Sequence, residues 1–250
     1  METVWTDQYN IHSFDVDFTS KAKLCALCNY FQESAWRHAS DSQLGYHDLI
    51  QQDQAWVLSR LKIHINQLPQ WTDQIQLKTW AKGADRLFAY RDFEIQNGNK
   101  SQALVKGSSA WLIVDINSKR PRRMQPYANS MPLNREDALK EPLDKIPPLS
   151  RVEQQTEIIA QYSDLDVNHH VNNVKYVEWI LNLFSLKFQR NHAIREFEIN
   201  YQHEVSYHET VRMELGQVGP DHNYIIQGTS KLKEKPVFCA AIQWESIMDS

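Results

Sequence analysis

The residues best suited to chemistry lie in one stretch, residues 163–173, which holds two aspartates, two histidines and three asparagines. Asp166, Asn168 and His170 stand at alternate positions, so in an extended segment their side chains would point the same way. A carboxylate, a carboxamide and an imidazole together can activate a nucleophile, move a proton and stabilise an oxyanion. Helix capping is the alternative, but it would use only Asn172 or Asn173. We therefore interpret the stretch as a catalytic site in which one asparagine also caps a helix.

The elements on either side of this stretch would position it. A strand-like run at residues 152–160 precedes it, and apolar residues at helical spacing follow from Val174 onward. The first N–H groups of a helix are unpaired, and the positive end of the helix dipole lies behind them. The N–H groups of Val171, Asn172 and Asn173 are therefore expected to support a developing negative charge.

The same order of elements occurs twice along the chain. The first half contains an alternating segment, a helical pattern and four strand-like runs, at residues 9–18, 20–39, 56–65, 74–80, 86–95 and 102–114. The second half repeats this order at residues 152–160, 172–189, 194–205, 210–218, 224–232 and 237–245. Ser20 would cap the first helix. Because the strands follow one another without intervening helices, the sheets should be antiparallel.

The proline-rich region between the halves reads as a connection. Residues 118–150 contain six of the nine prolines, with one short helical turn expected near residues 135–139. We predict an α+β fold of two repeats, each a long helix wrapped by a curved antiparallel sheet. The predicted domains are residues 1–118 and 151–250, joined by residues 119–150.

Composition limits the class of protein. The chain has 250 residues, of which 42% are hydrophobic and 23% charged, and a net charge of −4. These values are ordinary for a globular protein and give no argument for nucleic-acid binding or a membrane partner. No apolar run approaches the length of a membrane span, and the N-terminus lacks a basic region followed by an apolar one. We expect a cytoplasmic protein.

Cysteines and glycines indicate neither a metal nor a cofactor. Cys25 and Cys28 form a C-x-x-C, but no second such pair follows, so both thiols are interpreted as packed apolar groups. With Cys239 the cysteines are three, and an odd number suits a reducing compartment. The seven glycines form no phosphate-binding pattern.

Several motifs together resemble the acyl-acyl carrier protein (ACP) thioesterases of plants and bacteria. The most specific is DLDVNHHVNN at residues 164–173, followed by EINYQHE at residues 198–204. First-half matches include NYFQE at residues 29–33 and WVLSRL at residues 56–61. The resemblance implies a tandem hot-dog fold and hydrolysis of the thioester of fatty acyl-ACP, which would terminate fatty acid synthesis. It implies no cofactor beyond the phosphopantetheine arm of the substrate.

The resemblance also assigns catalytic residues. The catalytic aspartate, asparagine, histidine and glutamate of the family fall on Asp166, Asn168, His170 and Glu204. Plant members often have a cysteine after the glutamate, whereas this chain has Val205, so a thiol nucleophile is rejected. Glu204 or Asp166 would activate water or attack directly, and His170 would handle the proton.

Strand alternation makes the position of Glu204 a difficulty. If a strand runs from residue 196 to 205, Glu204 shares its polar, solvent-facing side with Glu196 and Glu198. Glu204 would meet His170 only if that face borders the site or a bulge intervenes. Without the resemblance, Glu204 would be interpreted as a surface carboxylate.

Substrate and partner surfaces are assigned from the resemblance and from charge. The first repeat should shape the acyl-chain pocket, with aromatic candidates Tyr30, Phe31, Trp56, Trp80 and Trp111. ACP is acidic, and the basic run Lys119, Arg120, Arg122 and Arg123 is its candidate docking surface. An acyl-CoA thioesterase and a non-catalytic acyl-binding protein are the alternatives. Pairing of two chains into a homodimer is left open.

Overall fold

The structure is a computed structural model of the chain and describes residues 2–98, 102–127 and 130–247. The chain divides into two compact units, Met1–Leu143 and Asp144–Ser250. The division falls inside the predicted connection, near its C-terminal end. Residues 119–143 therefore belong to the first unit rather than to a separate linker.

The first unit contains five strands and two helices in its described ranges. They are β1 (Trp5–Asn10), α1 (Leu24–Asp41), α2 (Tyr46–Ile50), β2 (Gln54–Ile65), β3 (Gln74–Ala84), β4 (Ala89–Asn97) and β5 (Ala103–Asp115). The strands pair antiparallel in the order β1-β3-β4-β5-β2. The α1 helix packs against this sheet through β1 and β3.

The α1 helix forms where the apolar stripe was predicted, but it begins later. Leu24, Leu27 and Phe31 are among its buried residues, one helical turn apart. Its N-cap residue is Lys23, so the predicted Ser20 cap is wrong. Ser20 instead has a φ of +63° and lies in a turn before the helix.

Two contacts fix α1 on the sheet. The Phe31 ring stacks on Phe93 of β4, with centroids 4.4 Å apart, and Gly107 of β5 leaves room, because a Cβ there would lie 2.8 Å from the Phe31 ring. Near the helix end, the buried Arg91 guanidinium donates to His38 Nδ1 at 3.1 Å. Burial, and next the Arg91 charge, lower the pKa of His38 to about 4. His38 is therefore neutral at pH 7.

The proline-rich segment packs on the first unit's sheet through the buried carboxylate of Asp92. Its Oδ2 accepts the Ala138 N–H at 2.8 Å and the Lys82 ammonium at 3.1 Å, and its Oδ1 accepts the Ser108 hydroxyl at 2.6 Å. Burial raises the pKa of Asp92 even against these donors. The prediction of a helical turn at residues 135–139 is wrong, because that segment is irregular and is held by its hydrogen bonds to the sheet.

The second unit repeats the plan. Its elements are β6 (Gln154–Ile159), a 3-10 turn (Tyr162–Asp164), α3 (Asn173–Leu181), α4 (Leu186–Asn191), β7 (His192–Tyr201), β8 (Thr210–Gln217), β9 (Asn223–Ser230) and β10 (Lys235–Ser246). The strands pair antiparallel in the order β6-β8-β9-β10-β7. This is the order of the first unit, strand for strand, so the predicted α+β duplication is confirmed.

The helix expected at residues 172–189 is broken in two. Ser185 is the N-cap residue of α4, because its Oγ accepts the Phe188 N–H at 3.2 Å. Phe184 lies in the break and is still buried, packed on Trp244 with ring centroids 5.0 Å apart. The apolar residues thus keep their helical spacing across the break, although the residues in the break pack on the sheet without forming a helix.

Candidate active site

The predicted catalytic stretch forms a tight turn. The Asp166 N–H donates to His170 O at 2.9 Å, and the His169 N–H donates to Asp166 O at 3.0 Å. His169 takes the left-handed backbone, with a φ of +62°. The expectation of an extended segment with alternating side chains is therefore wrong: Asp166 and His170 face each other across the turn, and Asn168 is exposed at its tip.

Asp166 builds this turn with its side chain. Its Oδ1 accepts the Asn168 N–H at 2.8 Å. An aspartate that bonds the N–H two residues later is the usual initiator of such a turn. Asp166 thereby orients the backbone that carries Asn168 and His170.

Glu204 meets His170 because the strand that precedes it ends early. β7 stops at Tyr201, so Glu204 lies in a loop where strand alternation does not apply. The Val171 N–H donates to Val205 O at 2.9 Å and holds this loop against the turn at residues 166–170. Glu204 Oε1 then lies 3.3 Å from His170 Nε2, with 47% and 25% of the two side chains exposed.

The start of α3 offers one of the three predicted N–H donors. Asn172 caps the helix, since its Oδ1 accepts the Val174 N–H at 2.9 Å. The N–H groups of Val171 and Asn172 already donate to Val205 O and Asp164 O, at 2.9 and 2.8 Å. Of the three, only the Asn173 N–H donates to no described group. Asn173 is therefore the one of the three that remains a candidate hydrogen-bond donor to an oxyanion.

The first unit contains a second copy of the turn formed by residues 166–170, at residues 17–21. The Asp17 N–H donates to Lys21 O at 2.8 Å, and Asp17 Oδ1 accepts the Thr19 N–H at 2.7 Å. Ser20 takes the left-handed backbone there, with a φ of +63°. These bonds and this dihedral match those of residues 166–170 position for position.

The aspartates of the two loops share two contacts with the backbone. Asp15 and Asp164 each accept, through Oδ2, the N–H three residues before them, at 2.9 and 2.8 Å. Asp17 and Asp166 each accept, through Oδ1, the N–H two residues after them, at 2.7 and 2.8 Å. Because the first loop keeps these bonds without the other predicted catalytic side chains, the bonds belong to the backbone structure of the turn.

The loops differ at three of the four positions predicted to be catalytic. The second loop carries Asn168, His170 and Glu204 where the first carries Thr19, Lys21 and Leu68. Leu68 corresponds to Glu204 because the residue after it, Pro69, accepts the Ala22 N–H at 2.7 Å, as Val205 accepts the Val171 N–H. The imidazole and carboxylate pair therefore exists in the second loop and is replaced in the first.

The predicted acyl-pocket residues do not share one surface. Phe31 faces the sheet from α1, whereas Trp80 donates through Nε1 to Glu136 O at 2.9 Å. Thr79 Oγ1 accepts a hydrogen bond from the Arg91 guanidinium on the face of the sheet that α1 covers. The next residue, Trp80, therefore points to the opposite face of the sheet. Phe31 and Trp80 therefore cannot line the same slot.

The other three aromatic candidates use their polar atoms within the first unit. Tyr30, Trp56 and Trp111 donate to Asp15 Oδ2, Leu44 O and Ser109 Oγ, each at 2.8 Å. Trp56 packs beside a buried apolar cluster that includes Leu49 and Ile113. Their role in acyl binding stays a prediction.

The basic run lies on the surface after β5. Lys119, Arg120, Arg122 and Arg123 are all exposed. The Lys119 N–H donates to Asp115 O at 2.8 Å, and the Arg122 guanidinium pairs with the Asp115 carboxylate at 2.5 Å. The Ser118 N–H and hydroxyl, and next the Arg122 guanidinium, donate to the Asp115 carboxylate and lower its pKa to about 2. The run is thus held in a defined turn, and its partner stays a prediction.

Two residues beside the His170–Glu204 pair carry no clear signal in the sequence. Lys233 donates to the backbone oxygen of Glu204 at 3.1 Å, and Glu209 accepts the Ser206 N–H at 3.0 Å. Lys233 lies in a visible basic run, but such a run at a hairpin usually only faces solvent. Its contact with the loop that bears Glu204 depends on how β9 and β10 pack, which no local pattern indicates.

The described residues hold no cluster of three His, Cys, Asp or Glu side chains that could bind a metal ion. The three cysteines are free and buried, and burial raises the pKa of Cys28, so the interpretation of the C-x-x-C as packed thiols is confirmed. In the ranges that the structure describes, every helix is too short or too polar to cross a bilayer.

The geometry defines the class of protein. In each of the two units a helix lies on an antiparallel sheet, which makes a tandem hot-dog fold. One unit also carries an imidazole and carboxylate pair. Residues 2–129 match the acyl-ACP thioesterase N-terminal domain, and residues 149–246 match the C-terminal domain. The chain belongs to the acyl-ACP thioesterase family.

Individual relatives agree with this membership. The chain is 26% identical over 216 residues to the chloroplastic palmitoyl-acyl carrier protein thioesterase of Arabidopsis thaliana, covering 80% of this chain and 52% of that protein. The structure of an acyl-ACP thioesterase from Bacteroides thetaiotaomicron matches with a TM-score of 0.83 and 26% identity, over 97% and 98% of the two chains. The 12:0-ACP thioesterase from Umbellularia californica matches with a TM-score of 0.85 at 20% identity, over 99% of each chain, which supports the fold. The chain spans about half the length of the curated relatives it matches.

Proposed function

We propose that this chain hydrolyses the thioester of fatty acyl-ACP to a free fatty acid and the thiol of the carrier protein, and so terminates fatty acid synthesis. The observation that carries the proposal is the His170–Glu204 pair, 3.3 Å apart, in only one of two matched loops. Family membership supports it, since the relatives from A. thaliana and B. thetaiotaomicron are described as ACP thioesterases.

In the proposed reaction Glu204 is the general base. The His170 Nε2–H donates to Glu204 Oε1 and orients the carboxylate, whose other oxygen takes a proton from water. The water oxygen attacks the thioester carbonyl carbon, and the oxyanion accepts hydrogen bonds from the Asn168 amide and the Asn173 N–H. The C–S bond then breaks, and the proton on Glu204 passes to the departing sulfur. Acid and thiol leave, and the carboxylate is restored.

Direct attack by the Glu204 carboxylate is the second route. It would form an acyl anhydride that water then cleaves. Hydrolysis in ¹⁸O-labelled water separates the two routes, because the anhydride route can place the label in Glu204 whereas the general-base route leaves that residue unlabelled.

Asp166 has a positioning role in this proposal. Its carboxylate is occupied by the Asn168 N–H, and Asp17 makes the same bond in a loop without the imidazole and carboxylate pair. Asp166 therefore holds Asn168 and His170 in place, and Glu204 alone acts as base.

The carrier protein is the proposed partner because the basic run gives this acidic chain a local positive surface. The exposed cations Lys119, Arg120, Arg122 and Arg123 would meet the acidic carrier, and salt would then weaken binding. Coenzyme A offers no protein surface to these residues, so an acyl-CoA thioesterase should be less sensitive to salt. No cofactor enters the proposal, and the cytoplasmic location and a homodimer stay predictions.

Thiol release from a panel of acyl-ACPs and matching acyl-CoAs tests the activity. We expect His170→Ala and Glu204→Gln each to lower the rate by ~10²–10⁴, as is usual for a positioned acid or base. Lys21→Ala is the matched control, because Lys21 holds the place of His170 in the first loop, and it should keep the wild-type rate.

The outcomes separate the candidate functions. Preference for acyl-CoA at every chain length would replace the carrier protein as partner. Binding of acyl-ACP without thiol release would support the non-catalytic protein. Equal loss in His170→Ala and Lys21→Ala would remove the special role of the second loop.

A further inference from the structure

Lys233 reaches the catalytic loop from the β9–β10 hairpin. Its Nζ donates to the backbone oxygen of Glu204 at 3.1 Å and to Glu209 Oε2 at 3.1 Å. Its own N–H donates to Ser230 Oγ at 3.0 Å, which ties the lysine backbone to the end of β9. The ammonium thus links the hairpin to the residue that carries the proposed base.

Glu209 is the buried partner of Lys233, with 5% of the residue exposed. Its Oε1 accepts the buried Ser230 hydroxyl at 2.5 Å, and its Oε2 accepts the Ser206 N–H at 3.0 Å. Burial by itself would raise the pKa of Glu209, but Ser230, the Ser206 N–H and Lys233 outweigh it, and the pKa lies below its usual value. Glu209 therefore stays charged and holds the loop from inside.

The loop of the first unit has an acid, Asp73, at the position that corresponds to Glu209. Asp73 Oδ2 accepts the Gln70 N–H at 2.9 Å, which is the bond that Glu209 makes to Ser206. Asp73 is half-buried, whereas Glu209 is buried. The loop that bears Glu204 thus has the longer and more deeply buried acid of the two.

We propose that Lys233 and Glu209 are positioning residues for thioester hydrolysis. They fix the Glu204–Ser206 backbone, so that the Glu204 carboxylate stays opposite His170 although nearly half of its side chain is exposed. An exposed glutamate has many rotamers, and a fixed backbone limits those that reach the imidazole. This role rests on the proposed hydrolysis, in which Glu204 is the base.

The test compares Lys233→Met, Lys233→Arg and Lys231→Met in the intact chain. Misplacement of a catalytic group by about 1 Å costs ~10²-fold, so we expect Lys233→Met to lower kcat by ~10–100-fold with KM nearly unchanged. Lys233→Arg keeps a donor and should recover most of kcat. Lys231 lies on the same hairpin, exposed and paired with Glu157 at 2.8 Å, so Lys231→Met removes an equal charge and should keep kcat.

An activity-independent measurement separates this inference from the proposed function. The His170 ring resonances in NMR spectra should move in Lys233→Met towards those of Glu204→Gln, because in both variants the imidazole loses its carboxylate. If wild-type protein released no thiol while these resonances still moved, the hydrolysis proposal would fail and the positioning would stand. Unmoved resonances, or a Lys233→Met protein with wild-type kcat, would overturn the positioning role.

A purely structural role gives a different pattern. Thermal unfolding would then shift in Lys233→Met, while kcat per folded molecule and the His170 resonances stayed as in the wild type. A loss shared by Lys231→Met and expressed in KM would indicate a general charge effect on the substrate, and it would also overturn the proposal.

Discussion

Asp166→Asn discriminates between a base and a residue that builds the turn. Asp166 Oδ1 accepts the Asn168 N–H at 2.8 Å, and an asparagine oxygen can occupy the same place. Asparagine cannot accept a proton from water or attack a thioester. Asp166→Ala, by contrast, removes the acceptor and leaves the Asn168 N–H to solvent.

The magnitudes follow from this single hydrogen bond. A bond to a charged acceptor contributes ~1.5–3 kcal/mol and a neutral one ~0.5–1.5 kcal/mol. Because ~1.4 kcal/mol is tenfold in rate, a turn that must be ordered for reaction predicts a loss of ~10–100-fold for Asp166→Ala and less than ~10-fold for Asp166→Asn. If Asp166 were the base, both variants would lose ~10²–10⁴.

The assay is thiol release from acyl-ACP, with urea unfolding of each variant. Asp17→Asn and Asp17→Ala are matched controls, since Asp17 makes the same bond at 2.7 Å in the first unit. Asp17 also accepts the Thr19 hydroxyl and the Lys21 N–H, so these variants should lower the free energy of unfolding at least as much as their counterparts, and they should leave the rate per folded molecule unchanged. An Asp166→Asn protein that unfolds like the wild type but is more than ~10²-fold slower would refute the positioning role.

Three further predictions concern the first unit. Asp92→Ala removes the acceptor of three donors and should lower the free energy of unfolding by ~3–5 kcal/mol in urea titrations. A change within ~1 kcal/mol would mean that the proline-rich segment does not depend on the Asp92 carboxylate. The folded-state pKa of His38, about 4 against an ordinary 6.5, means that the folded state binds this proton more weakly, so stability is full above pH 6.5 and falls as the pH drops towards 4. His38→Gln should flatten that slope in unfolding measured from pH 7 to 4, and an unchanged slope would exclude His38 as its source. Gly107→Ala places a Cβ 2.8 Å from the Phe31 ring and should destabilise the protein by ~1–3 kcal/mol in thermal unfolding, with no change expected only if the ring can shift.

The duplicated plan was predictable because it depends on local patterns. Helical spacing around Phe31 and alternation in the strands are carried by each segment alone. The break between α3 and α4 was not predictable from spacing, because Phe184 keeps the apolar period while it packs outside a helix. The Ser20 cap failed because a serine before an apolar stripe can equally lie in a turn with positive φ.

The candidate site was predictable in composition but not in shape. The pairing of His170 with Glu204 came from the resemblance, whereas strand alternation argued against it. Alternation failed because β7 ends at Tyr201, and the place where a strand ends is set by partner strands distant in sequence. The roles of Lys233 and Glu209 need the same tertiary information, since a hairpin lysine and an isolated glutamate carry no local signal.

For protein engineering, the matched turns mean that the first unit is a scaffold whose backbone already has the required conformation. Transfer of the chemistry would begin with replacement of Thr19, Lys21 and Leu68, and it would also need groups that hold the new carboxylate, as Glu209 and Lys233 are proposed to do. The two turns also form an internal reference within one molecule. A denaturant that loosens the backbone acts on both of them, whereas a small molecule aimed at an imidazole beside a carboxylate recognises one.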